Sequence, residues 1–444
     1  MGCFNIGKND ERRKIACLNT CILSNDFTKC LSFCKIIVRN VVRGDRVASL
    51  TELLELHRLA KNEGGRYEKH RPLLQDLLGS GGKHFIGIAG PRGAGKTVLL
   101  RQYAHKNENA FYLSLDTNKD GDLFELAKKL NMDLGFTHLL LDEVHCCKEY
   151  DELLKRIYDF LDVRVIFASS VSLSIFRSSY DLSRRISIRQ LYPFSFREFI
   201  FFKTGEHLSE LSIEDIVKKR GLSVPLRHAN LFDEYLKGGV LPFALDEPDP
   251  LPLLKDIVKK VISGDIPGIA KIQVDEIELL EKTLGFIGRS EVDGINYSSI
   301  SRNVGVTKYK AAQYMELLEK AFIIHQVFPR GTNVLKEPKI LMALPYRLLY
   351  RDMEDCIGPL REDFFAGMMR SAGIPFHYLK TMRGSKTPDY LIPNEDGDLV
   401  IEIGGRGKGP RQFKGIEAAE KLIFYPSANL DGMSRPLESL GFLC

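Results

Sequence analysis

Eight consecutive residues, Gly90-Pro91-Arg92-Gly93-Ala94-Gly95-Lys96-Thr97, fit the spacing G-x-x-x-x-G-K-[ST]. Glycines at these positions let backbone N–H groups curl around a phosphate, and a helix starting at the lysine adds the partial positive charge of its N-terminus. Lys96 would reach the β- and γ-phosphates of a nucleoside triphosphate, with ATP favoured by the lack of a guanine-reading N-K-x-D motif, and the Thr97 hydroxyl would ligate the magnesium ion (Mg2+) that neutralises them. The flanks agree. His84–Ala89 is an apolar run that predicts a buried strand, and Val98–Tyr103 predicts a helix. The expected nucleotide contacts are therefore Gly90, Pro91, Arg92, Gly93, Ala94, Gly95, Lys96, Thr97 and Val98.

Hydrolysis needs a second set of acids, and His138-Leu139-Leu140-Leu141-Asp142-Glu143 supplies one. A continuous apolar run ending in polar residues predicts a buried parallel strand whose carboxyl end faces a ligand. Alternation along the strand would point the two acids differently, Asp142 toward magnesium and Glu143 toward the attacking water. A further run, Val163–Ala168, ends in Ser169-Ser170. Ser169 there would either sense the γ-phosphate from between the two motif strands or cap the helix that follows, and the sequence leaves both open. Arg184 and Arg185 precede a last strand, Ile186–Leu191, and an arginine offered to a γ-phosphate stabilises charge in phosphoryl transfer.

Together, "GPRGAGKT", "HLLLDEVH", "VIFASS" and "DLSRRISIRQLYPFSFREF" resemble the prokaryotic, archaeal and bacterial, AAA+-type P-loop ATPases that carry a C-terminal nuclease-like domain of unknown function. "LYPFSFREF" is the most family-specific piece, and "YLKGGVLPF" also matches, so the resemblance runs from about residue 80 to about residue 420 and leaves out the first seventy residues. It implies an α/β fold: a P-loop NTPase parallel sheet flanked by helices, then a helical lid, a winged-helix-like segment and a restriction-endonuclease-like α/β domain. It also implies that Arg185, more than Arg184, lies near the nucleotide. The corresponding division of the chain is 1–70, an extension of uncertain fold; 71–192, the ATPase core; 193–250, lid and linker; 251–345, winged-helix-like; and 346–444, nuclease-like and degenerate.

A chain of 444 residues suits several domains, its net charge of +5 neither demands nor excludes a nucleic acid, and no apolar run is long enough to span a membrane. A cytoplasmic ATPase works in reducing surroundings, so its nine cysteines are expected to be unpaired. Cys17, Cys21, Cys30 and Cys34 repeat a spacing of four, which fits zinc at the permissive edge or an apolar helix pair. Around Gly305, Ser298–Asn303 and a helix capped by Thr307 form a helix-turn-helix candidate. Its buried stripe is Ala311, Met315, Leu318 and Phe322, and Lys308, Lys310 and Gln313 are left to meet bases or phosphates.

Glu362, Asp389 and Glu402 resemble the acids of a PD-(D/E)xK nuclease, but Gly404 stands where that layout wants a lysine. Arg406, Lys408, Arg411 and Lys414 form a basic loop that could bind DNA, RNA or an acidic protein. The sequence thus points to an ATP-hydrolysing switch that engages nucleic acid or a protein partner, with assembly into oligomers open. The alternative is an ATP-regulated nuclease, and Gly404 weighs against it. Lys96 and Arg185 would stabilise γ-phosphate charge, Thr97 and Asp142 hold magnesium, and Glu143 position water.

Overall fold

The computed structural model describes residues 49–444 apart from 117–121, 148, 171–181, 183, 271, 332–336, 380–386, 396 and 405–409. The five N-terminal cysteines, Arg406 and Lys408 lie outside the described residues, as does the side chain of Arg411. The described chain divides into two compact units. The first holds the residues up to Ile88, Thr97–Ser169 and the described part of 178–189; the second holds Ala89–Lys96, Ser170 and Gln190–Cys444.

A five-stranded sheet organises the first unit. Its strands are β1 (Phe85–Ala89), β2 (Ala110–Ser114), β3 (His138–Asp142), β4 (Arg164–Ser169) and β5 (Ile186–Gln190), in the order β2-β3-β4-β1-β5. β3 runs parallel to both β2 and β4. Phe85 N–H donates to Arg185 O and Leu191 N–H to Ala89 O, so β5 starts where β1 starts and ends where it ends. Ile88, Leu140 and Ile166 are fully buried, and each such side chain contributes about 1.5–3 kcal/mol. Gly87 interrupts the apolar run for lack of room: a Cβ there would come within 2.8 Å of both Phe167 and Ile188. Helices flank the sheet: α1 (Leu50–Gly65), α2 (Pro72–Gly79), α3 (Lys96–Lys106), α4 (Leu123–Met132) and α5 (Tyr150–Phe160).

Helix α1, upstream of the recognisable motifs, belongs to this unit. Its His57 is buried, stacks on Phe111 at 4.7 Å and accepts the Tyr112 N–H at 3.1 Å, closing a backbone donor on edge strand β2. Burial, aided by the Lys61 charge, lowers the His57 imidazole to about 4, and only the neutral ring can accept this bond.

The second unit is held by one large apolar core. The two motifs that follow the sheet bond to each other. Tyr235 Oη donates to Phe194 O at 2.8 Å, and Phe194 N–H donates to Val240 O at 2.7 Å. Ser195 and Glu198 form a reciprocal cap on α6 (Phe196–Thr204), which gives "SFRE" its physical meaning. Phe196 and Phe232 meet edge to face at 5.2 Å, and Phe232 meets Phe364 at 5.0 Å.

Next come α7 (Leu251–Lys260), α8 (Val274–Arg289), α9 (Tyr297–Val304) and α10 (Lys308–Lys320), then an antiparallel pair, β6 (Ile324–Val327) and β7 (Lys339–Met342). Gly305 is left-handed at the end of α9 and Thr307 caps α10, as expected. Tyr314 joins Ala311, Met315 and Leu318 in the buried stripe, while Phe322 lies past the helix end at φ 61° and is half-buried.

Finally α11 (Met353–Ser371) packs with a mixed sheet of β8 (His377–Tyr378), β9 (Tyr390–Ile392), β10 (Leu399–Ile403), β11 (Glu420–Tyr425) and β12 (Ser434–Pro436), in the order β12-β11-β10-β9-β8. At the centre of this unit Arg347 and Asp363, both fully buried, form two bonds of 2.6 and 3.1 Å. Asp363 also accepts Met342 N–H, and Arg347 donates to the carbonyls of Ile287 and Ser290. Among the described residues no helix is long and apolar enough to cross a membrane.

Two outcomes follow from these burials. Asp363→Ala strands a buried guanidinium and should cost about 3–5 kcal/mol, whereas Asp363→Leu with Arg347→Met should recover most of it; urea unfolding followed by circular dichroism checks both. The His57 contribution is fully present above its unfolded value of about 6.5 and is lost as the pH falls toward 4, because the folded state resists the proton. Acid unfolding of the wild type should therefore be steeper over that window than that of His57→Gln.

Candidate nucleotide-binding site

The glycine-rich segment leaves buried strand β1 and enters the eleven-residue helix α3 at Lys96. Gly93 and Gly95 adopt φ of 83° and 92°, the left-handed region that a side chain disfavours. Gly90 is needed for a different reason: its Cβ would fall on the Leu191 carbonyl oxygen, well inside contact distance. The Lys96 ammonium, almost buried, donates to the carbonyls of Gly90 and Pro91 at 2.7 and 2.8 Å, so the loop's own cation closes its acceptors.

Arg92 turns outward from the loop. Its Nε and Nη2 donate to the two oxygens of Asp265 at 2.6 and 2.7 Å, a forked pair with little exposure on either side. Phe243 and Pro242, from "VLPF", approach the loop where Cβ atoms on Gly93 and Gly95 would sit, at 2.9 and 3.6 Å.

In the first unit, Asp142 ends β3 and is 2 % exposed. One of its oxygens accepts the Tyr112 hydroxyl at 2.9 Å and the other accepts the Glu143 N–H at 3.1 Å. Burial, and then the Asp142 charge, push the Tyr112 phenol upward, so it remains a donor. Strand alternation is not what turns Glu143 away. The strand stops at Asp142, and Glu143 sits at φ 52°, ψ 46°, a left-handed conformation that costs energy in any residue but glycine. His145 Nδ1 lies 3.3 Å from Glu143 Oε2 and 3.5 Å from Ser169 Oγ. Ser169 ends β4, which the sheet order puts between the strands of the two motifs, as expected. The other reading of Ser169, as a cap on the segment that follows, falls on residues outside the described ones.

The structure does not bring Arg185 to the carboxyl ends of the strands. It stands at the start of β5 beside Phe85, bonded to Asp159 at 3.1–3.2 Å and over the Tyr158 ring. A role at the γ-phosphate of its own chain does not follow from that placement. Sequence reading also missed Tyr112, Asp265 and His145. Of these only His145, two residues after Glu143, carried a local signal.

Several of the other candidate residues have partners within the fold. Lys308 pairs with Glu337 and Lys310 with Glu276. Glu362 accepts bonds from Lys339 and the Tyr390 hydroxyl at 2.7 and 2.6 Å, and Asp389 accepts Ile403 N–H at 2.7 Å. Burial opposes the charge on Lys339, but Glu362, Asp293 and Asp389 outweigh it and raise its pKa. Glu402 is 2 % exposed on β10, and Gly404 is held through its N–H by Phe424 O. Among the described residues no cluster of three or more His, Cys, Asp or Glu could hold a metal, so the nuclease reading gains no support.

A glycine-bent loop between a buried strand and a helix, with one acid ending the parallel strand β3 and a second just past it, defines a P-loop NTPase domain. Residues 82–200 match the family model described as an AAA domain. A second family model, a domain of unknown function (DUF8612), matches residues 229–343. An uncharacterized protein of Methanocaldococcus jannaschii, MJ1637, is 24% identical over 404 residues, spanning 81% of this chain and 85% of that protein. The likeness thus extends well beyond the AAA domain.

Two solved structures show a weaker resemblance. The RuvB Holliday junction branch migration motor of Thermotoga maritima is 18% identical over 63% of this chain and 90% of that one, with a TM-score of 0.26. The Aeropyrum pernix ORC1 protein in complex with DNA is 14% identical over 72% and 94%, with a TM-score of 0.27. Likeness at that level says nothing about function here.

The loop geometry makes a sharp demand. Gly90→Ala should abolish nucleotide binding, measured by titration with a fluorescent ATP analogue. Gly81→Ala, at a position where a Cβ meets nothing within 4 Å, should leave it intact.

Proposed function

We propose that the protein is an ATP-hydrolysing switch whose turnover governs engagement of a partner by its second unit. The observation that carries this is the phosphate loop itself: left-handed Gly93 and Gly95, Lys96 folded over the loop carbonyls, and helix α3 starting at that lysine. An arriving triphosphate would offer Lys96 stronger acceptors than the two carbonyls it now holds, so the ammonium would exchange them for phosphate oxygens. The N–H groups at the start of α3 would then face the phosphate charge.

Thr97 and Asp142 suit magnesium, since a hydroxyl and a carboxylate are hard oxygen donors and the Asp142 carboxylate is oriented by two neutral hydrogen bonds. Bound magnesium supplies charge neutralisation at the β- and γ-phosphates. Glu143 is assigned as the base that orients and polarises water. Its strained backbone and its contact with His145 support a side chain set by a switchable environment rather than by strand geometry.

The partner is assigned to the protein class. Lys308 and Lys310, which a helix-turn-helix would offer to a phosphate backbone, already have carboxylate partners, so a polyanion would have to displace Glu337 and Glu276. Glu143→Gln should keep ATP binding within about twofold while lowering steady-state turnover by at least about a hundredfold; equal turnover would remove Glu143 as the base. In the same assay, duplex DNA should leave the wild-type rate unchanged, and stimulation would move the partner to nucleic acid.

A further inference from the structure

We propose that Tyr112 is a positioning residue for the metal-binding step, orienting the Asp142 carboxylate toward a hydrated divalent cation. This rests on the reading of Asp142 as the magnesium-side acid. β2 and β3 are parallel, with Tyr112 opposite Leu140 and Ser114 opposite Asp142. Tyr112 therefore points to the same face as Asp142 but starts two residues short of it. Two residues advance about 6.6 Å along a strand, roughly the reach of a tyrosine side chain. The hydroxyl closes that gap with a 2.9 Å bond to Asp142 Oδ2, between two nearly buried side chains.

The other oxygen, Oδ1, accepts the Glu143 N–H at 3.1 Å. These two donors, one to each oxygen, hold the plane of the carboxylate. Tyr112 is itself anchored. Its N–H is held by His57 Nδ1 at 3.1 Å, and the Arg101 guanidinium lies over its ring at 5.5 Å. Groups that orient a metal ligand commonly change metal affinity by 10- to 100-fold when removed. A tyrosine that only compensated the burial of Asp142 would affect folding and leave cation affinity unchanged.

The full chain carrying Tyr112→Phe separates these roles. Affinity for a fluorescent ATP analogue is titrated first in EDTA and then against increasing magnesium, with Mn2+ binding to the nucleotide complex followed by electron paramagnetic resonance. The expected result is unchanged metal-free affinity and an approximately tenfold rise in the magnesium needed for half-maximal tightening, with Mn2+ binding weakened in parallel. In an Asp142→Asn background the same substitution should add almost nothing. Should Tyr112→Phe fail to fold, Tyr112→Met removes the hydroxyl with a more adaptable side chain. A variant that keeps the wild-type magnesium requirement overturns the role of Tyr112 alone. A wild type whose nucleotide affinity ignores magnesium overturns the reading of Asp142 with it.

Discussion

A glycine-rich loop loses more backbone freedom on ordering than any other kind of segment, roughly 1–2 kcal/mol per residue, and cannot hold itself. Among the described residues, several that follow the sheet in sequence hold Gly90–Lys96, together with the loop's own lysine. The Leu191 carbonyl occupies the space above Gly90, Asp265 grips Arg92, and Phe243 and Pro242 cover Gly93 and Gly95. The loop accordingly clusters with the second unit rather than with the strand and helix that frame it. Asp265 and Phe243 are immediate neighbours of the loop.

The carboxylates divide by what compensates them. Asp363 is bound by the Arg347 guanidinium, and Glu362 by the Lys339 ammonium, so each negative charge is cancelled in place. Asp142 accepts bonds from a phenol and an amide N–H, donors that carry no charge of their own. The difference matters because a buried charge is tolerated only when it is bonded, yet a metal ligand must still attract a cation. Glu362 and Asp389 fall on the structural side of this division, the first held by Lys339 and the Tyr390 hydroxyl and the second by the Ile403 N–H.

Much of this was legible in the sequence because it depends on neighbours along the chain. The phosphate loop, the apolar strands, the Thr307 cap and the Gly305 turn are all local patterns, and local patterns survive folding. Tyr112 was not legible, because its meaning lies in Asp142, thirty residues on, and in a strand register that "AFYLS" does not announce. Asp265 is an ordinary acid until Arg92, 173 residues away, reaches it. The Arg185 expectation needed the direction of β5 relative to β1, which is topology rather than motif. Glu143 departed from strand alternation because the strand ends one residue before it, and a boundary of one residue is beyond what an apolar run encodes.

Arg347 draws together the carbonyls of Ile287 and Ser290 at the end of α8, and Asp363 on α11 joins it to Met342 on β7. Such an arrangement has a hereditary cost. A recombination event that exchanged the segment beyond β7 for an unrelated one would import α11 without the matching acid, and leave buried backbone carbonyls in search of donors. The carboxyl-terminal sheet is thereby bound to descend with the helices before it.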